Sequence, residues 1–187
     1  MTMTWILLLV LVVLVVAGVG IYNSLVALRT RAVAAWSDIN VQLKRRHDLV
    51  GNLVETVKGY AAHERQTLEQ VIEARNRATG AAGSGHPKDA GQAENFLTAQ
   101  LRQVFALAEA YPDLKANQNF QELQRSLESL ETGIQNARRY YNAVVRDLNT
   151  KIQSVPSVFV ARLFGFEERE FFELADAAEA QVPTVKF

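Results

Sequence analysis

The sequence predicts an all-α protein, an N-terminal transmembrane helix continuing into a long antiparallel three- to four-helix bundle. Three observations predict it. The first 28 residues carry no charged side chain. Beyond them, apolar residues recur at three- and four-residue steps over most of the chain, the spacing of a buried helix face. Apolar content is near half, with four prolines in 187 residues and no cysteine, which fits an all-helical protein better than a sandwich.

Trp5 to Ile21 is an unbroken apolar run, and from Trp5 to Tyr22 a helix rises roughly 26 Å, close to the ~30 Å of a bilayer's hydrocarbon. Trp5 and Tyr22 stand at its two ends, where amphipathic rings favour the water interfaces. A cleaved signal peptide is the competing reading, with Val15 and Ala17 as small cleavage-site residues. No basic residue precedes the run, and helix-compatible sequence continues straight through it, so a retained anchor over residues 1–28 is preferred. Arg29 and Arg31 follow the run, whereas its N-terminal flank has no Lys or Arg. By the positive-inside rule, residues 29–187 are expected in the cytoplasm and the short N-terminus outside, as for an inner-membrane protein. Arg29 and Arg31 are also near enough to meet anionic headgroups.

The helical period carries on from Leu25 to about Ala78. One heptad position holds Trp36, Leu43, Val50 and Val57, and the other holds Val33, Asn40, His47, Val54, Ala61 and Leu68. Gly51 and Gly59 weaken this stretch by about 1 kcal/mol each relative to Ala, which a packed face overrides. The Gly-rich stretch Thr79 to Lys88, inside an expected flexible loop over 79–91, is the clearest break. It lacks the Gly-Lys-Ser/Thr ending of a phosphate-binding loop. A second helix is expected from Gln92 to Ala110, closed by Pro112, and a third from Asn119 to Ser154, capped by Asn117 or Asn119 and stopped by Pro156. Phe120, Leu127, Ile134, Tyr141 and Leu148 fall seven apart in the third. A Phe-rich segment, 155–187, closes the chain.

Several function classes are excluded or weakened. Twenty Lys and Arg balance twenty Asp and Glu, which argues against a nucleic-acid partner. The absence of cysteine removes disulfides, Cys-based zinc sites and thiol catalysis. His63-Glu64 begins like a zinc-peptidase helix, but the fourth residue on is Thr67. The residues three before His47, His63 and His86 are Lys44, Tyr60 and Gly83, so the Glu-x-x-His pairs of di-iron bundles are missing. Neither a metal nor a cofactor is expected. His47 can be read as a proton switch or ligand, or as a satisfied polar layer with Asn40 that fixes helix register; the latter is the plainer reading. Lys44, Arg45 and Arg46 lie 100° apart on a helix and about 30 Å beyond Leu25, too far to share a lipid contact. A solvated face or ion pairs with neighbouring helices account for them better. Tyr140, Tyr141, Arg138 and Arg139 form no catalytic set.

The residues AWSDINVQLKRRHDLVGNLVETVKGYAAHE (35–64), YPDLKANQNFQELQ (111–124), ARRYYNAVVRDLNTKIQSVPS (137–157), FGFEEREFFE (164–173) and the terminal PTVKF resemble the LemA family. The resemblance covers nearly the whole chain, with one departure at Gly51, where the family usually has proline. It implies a single-pass membrane protein with a short external N-terminus and a helical-bundle domain, and brings no reaction with it. Two functions stay open: a membrane-anchored assembly protein acting through protein contacts, and a tethered enzyme or ligand-binding bundle with a site near Asn40, His47 and Tyr141. The first is preferred, with membrane lipid, further copies of the chain and other membrane proteins as its partners. Phe159, Leu163, Phe164, Phe166, Phe171 and Phe172 are expected either to form an oligomer interface, to rest on the membrane, or to fold back and cap the bundle. If three helices alternate in direction, Pro156 ends far from the bilayer, which favours the interface.

Overall fold

The computed structural model describes residues 2–174 and is all-α. Six helices follow in order: α1 (Thr2–Lys58), α2 (Arg65–Gly83), α3 (Pro87–Ala108), α4 (Pro112–Ala116), α5 (Gln118–Gln153) and α6 (Ser157–Leu163). They divide into two compact units, neither of them continuous in sequence.

One unit holds Asp38–Arg138 together with residues 171–174. Its core gathers Val50, Leu53, Val54 and Val57 of α1, Leu68, Val71, Ala74 and Ala78 of α2, Leu97, Leu101 and Val104 of α3, and Phe120 and Leu127 of α5. The long first helix expected from periodicity alone breaks at Gly59–Glu64, so what was read as one element is α1 and α2. A tight turn there is closed by the Tyr60 and Ala61 amides, both donating to the Val57 carbonyl at 3.0 and 2.8 Å. Ala61 and Leu68 stay buried on either side, which is why the apolar period runs through the turn unchanged. The flexible loop expected over 79–91 is also corrected. Helix covers Thr79–Gly83 and resumes at Pro87, leaving Ser84–His86 as the connection. Gly80 and Gly83 face open space, so their only penalty is propensity, whereas Gly85 takes a positive φ of 77° in the turn. Pro87 starts α3 at the position where a missing N–H is harmless.

The second helix of the sequence reading ends at Ala108, four residues before Pro112, and Pro112 opens α4 instead. Asn117 supplies the N-cap of α5, its Oδ1 accepting the Phe120 amide at 3.0 Å. Segments of five helices, α1 to α5, therefore pack in this unit.

The other unit holds Met1–Ser37 and Arg139–Glu170. Within it α5 runs antiparallel to α1, from Tyr141 beside Trp36 (ring centroids 5.5 Å) to Phe164 beside Tyr22 (4.8 Å). Leu25, Ala32 and Ala35 of α1 are buried here with Val144, Val145, Leu148 and Ile152 of α5, while Val33 is exposed. This reverses the expected direction of the chain end. The turn at Gly59 adds a helix, so the segment after Pro156 returns to the apolar N-terminal helix. After α6 the chain climbs back along α5. The Asn149 side-chain amide both donates to the Arg169 carbonyl and accepts the Arg169 amide, each at 2.9 Å. Tyr141 Oη donates to the Glu170 carbonyl at 2.9 Å. Burial pushes the Tyr141 phenol above its ordinary pKa, with Arg169 opposing, and the hydroxyl is a donor.

Candidate functional site

The expected membrane-interface residues all lie on α1. No residue of its most apolar 18-residue window is buried, and Met3 to Val16 are exposed throughout. A water-facing helix would place polar residues on that surface, so this exposure is that of a helix long and apolar enough to cross a bilayer. Trp5 and Tyr22 bracket it, and Arg29 and Arg31 are exposed beyond it.

The interior polar site lies between α1, α2, α3 and α5 of the other unit. His47, 4 % exposed, places Nε2 2.6 Å from Glu94 Oε1 and Nδ1 3.2 Å from Thr79 Oγ1. Arg46, also 4 % exposed, donates from Nη2 to Thr98 Oγ1 at 2.7 Å. Its Nη1 lies 3.3 Å from Glu94 Oε2 and 3.2 Å from Glu131 Oε2. The Arg46–Glu94 contact is an ion pair without an aligned hydrogen bond. Glu94 is fully buried, and its backbone carbonyl accepts the Thr98 hydroxyl at 2.9 Å. Arg75 completes the set by donating from Nε to the His47 carbonyl at 2.6 Å.

A buried carboxylate is tolerated only when it is paired and hydrogen-bonded, and here the Arg46 guanidinium pairs with it while the neighbouring His47 ring hydrogen-bonds to it. Chemically the cluster is an ion-pair knot tying three helices to α1. Among the described residues no three His, Asp or Glu side chains converge as a metal site would require.

Asn40 is half-buried, and its Oδ1 has no hydrogen-bond partner among the described residues. Of the basic triplet, Lys44 and Arg45 are exposed while Arg46 turns inward to the ion pairs. Glu94 escaped the sequence reading. Its signal was its place on the apolar stripe of α3, between Ala90 and Leu97, where a charge must have a partner.

Beside Arg46 a groove of about 330 Å³ opens between α3 and α5. It is lined by Leu101, Phe105 and Leu127 on the apolar side and by Arg102, Glu128 and Glu131 on the polar side. His47 does not line it.

The assembly-or-capping residues separate into two groups. Phe159, Leu163, Phe164 and Phe171 are exposed, Phe166 is half-buried and Phe172 is fully buried. Next to Phe172, the Glu173 backbone packs on Gly91 of α3. A Cβ at Gly91 would overlap the Glu173 carbonyl oxygen and stand 3.2 and 3.3 Å from its C and N. Arg138 Nη1 donates to the Leu174 carbonyl at 2.7 Å. The expected segment beyond Leu174, Ala175 to Phe187, lies outside the described residues.

Magnetosome protein MamQ of Magnetospirillum gryphiswaldense is 26 % identical to this chain over 187 residues, covering 87 % of this chain and 68 % of the relative. Magnetosome proteins MamQ 1 and MamQ 2 of Paramagnetospirillum magneticum match with the same identity and coverage. The LemA family matches residues 35–187. That match takes in the Trp36 helix, the ion-pair knot and the returning C-terminal segment, and the chain belongs to the LemA family.

Proposed function

We propose that this chain is a membrane-anchored structural protein that works through protein–protein contacts. It self-assembles at the inner membrane, with its short N-terminus outside and its helical body in the cytoplasm, and carries no catalytic activity. The observation that supports this is the ion-pair knot. The buried charged and imidazole side chains Arg46, His47 and Glu94 are engaged with one another and with Thr79 and Thr98. A knot of that kind specifies how helices register and holds a body rigid. The relatives are named as magnetosome proteins and not for a reaction, which agrees with an assembly role. The test is light scattering of the detergent-purified full chain. A particle of several 20.8 kDa chains is expected, and a monomer at every concentration overturns self-assembly. Orientation is read separately from Ser84→Cys on intact cells, where protection from an impermeant maleimide is expected.

One observation favours a second reading, a tethered ligand-binding bundle: the groove beside Arg46, with Arg102 and Glu131 on its rim. Native mass spectrometry of the purified chain separates the two. A small molecule that co-purifies and is lost in Arg102→Glu would support the second reading.

A further inference from the structure

Helix α6 has its polarity inverted. The face it turns into the protein carries Ser157 and Ala161, 4 % and 0 % exposed. The face it turns out carries Phe159 and Leu163, 67 % and 78 % exposed, and is extended by Val155 before it and Phe164 after it. Residues 155, 159 and 163 are spaced by four and fall on one side of a helix. A helix in contact with water gains by burying its large apolar side chains, each worth roughly 1.5–3 kcal/mol, and presenting its small ones. This helix does the opposite.

Its position gives the reason. Phe164 and Phe166 pack on Tyr22, with ring centroids 4.8 and 5.7 Å away, and Tyr22 is the last aromatic of the wholly exposed apolar helix. The same rings share a hollow of about 400 Å³ with Val26, Arg29, Thr30 and Val33. Arg29 stands about 10 Å along the helix from Tyr22, the distance over which hydrocarbon gives way to headgroups and water. Exposed aromatics at the boundary ring, with a cation one headgroup layer further out, are the arrangement of a segment lying in a bilayer interface. Arg162, on α6 itself, is a further exposed cation.

We infer that α6 is a second, monotopic membrane contact: Val155, Phe159, Leu163 and Phe164 enter the interfacial layer beside Tyr22, with the hollow at Arg29 taking a phospholipid headgroup. The occupant is lipid, because the exposed surface is continuous through Tyr22 with the apolar helix that a bilayer would cover. The inference rests on the reading that this helix is the membrane anchor, and the experiment separates the two.

The full chain contains no cysteine, so single cysteines report unambiguously. Leu163→Cys, Val10→Cys and Ile72→Cys are each labelled with an environment-sensitive fluorophore and reconstituted in phosphatidylcholine–phosphatidylglycerol vesicles. Vesicles with a spin label on the lipid near the headgroup, or deep in the acyl chain, are then compared. Val10→Cys is expected to lose most of its emission to the deep label, Leu163→Cys to the shallow label, and Ile72→Cys to neither. A quenched Val10→Cys with an unquenched Leu163→Cys overturns the α6 contact and leaves the anchor standing. An unquenched Val10→Cys overturns both. An unquenched Leu163→Cys that transfers energy between copies assigns the surface to a second chain, which also refutes the lipid contact.

Discussion

Glu94→Ala is the sharpest test of the buried knot. The substitution removes the carboxylate that faces His47 Nε2 at 2.6 Å and Arg46 Nη1 at 3.3 Å, in a place with no access to solvent. Taking one partner from a buried ion pair typically destabilises by 3–5 kcal/mol, because the remaining charge stays buried. Arg46 keeps two of its contacts, Thr98 at 2.7 Å and the partly exposed Glu131 at 3.2 Å, which places the expected loss at the lower end, about 3 kcal/mol. At ~2–4 °C per kcal/mol for a chain of this size, the melting temperature should fall by about 6–12 °C. Circular dichroism of the detergent-solubilised chain at 222 nm, melted alongside wild type, reads this directly. Arg46→Met with His47→Leu and Glu94→Leu should regain most of the loss, since apolar replacement of a whole buried ionic set is often neutral or stabilising. A loss below about 1 kcal/mol for Glu94→Ala would refute the reasoning, because it is the size expected of a solvated surface pair.

Two further outcomes follow from local geometry. Gly91→Ala should displace the backbone at Glu173 and uncover Phe172, lowering stability by about 1–3 kcal/mol, the usual range for overpacking; faster C-terminal cleavage by chymotrypsin under native conditions checks it. The Tyr111 hydroxyl donates to Glu64 Oε1 at 3.1 Å, and that bond, with desolvation and the Glu64 charge, raises its pKa above the ordinary value of 10.0. The folded pKa exceeds the unfolded one, so the contact contributes fully below pH 10 and is lost as pH rises through the folded value. Absorbance titration at 295 nm should show one tyrosine ionising earlier in Glu64→Gln than in wild type, and unchanged curves would exclude the contact.

The apolar pattern made α5 legible: Phe120, Leu127, Ile134, Tyr141 and Leu148, chosen for their spacing, are all buried. The cap of α5 was legible as Asn117 or Asn119 because capping chemistry is local, and Asn117 is the one that caps. The break at Gly59 was not, since no proline marks it and Ala61 and Leu68 keep the buried phase on both sides. One missed turn then reversed the end of the chain, because direction alternates with every helix. The polar knot was half legible. His47 stood out on its stripe, but Arg46 was hidden in a basic triplet of which only one member faces inward. The partnership with Glu94 spans 47 residues, and no local rule joins positions that only packing brings together. His47→Leu, which looks harmless for a residue that merely sets register, now removes the ring that hydrogen-bonds to Glu94 Oε1 and leaves Thr79 without its ring partner.

The discontinuity of the unit containing α1's apolar half bears on how the protein is made. Its two pieces, Met1–Ser37 and Arg139–Glu170, are separated in translation by everything in 38–138. At ~5–20 residues per second a ribosome takes roughly 5–20 s to cross that gap. During that interval the N-terminal helix can reach the membrane with Leu25, Ala32 and Ala35 lacking their α5 partners, while 38–138 already holds all the helices of its own core. Assembly therefore has an enforced order, in which the core of the interposed unit can form first, and the membrane-side pairing and the closure of Phe172 and Glu173 on Gly91 come later. A nascent chain stalled before Arg139 should protect the ion-pair knot from protease and leave the apolar half of α1 available to a membrane-inserting chaperone.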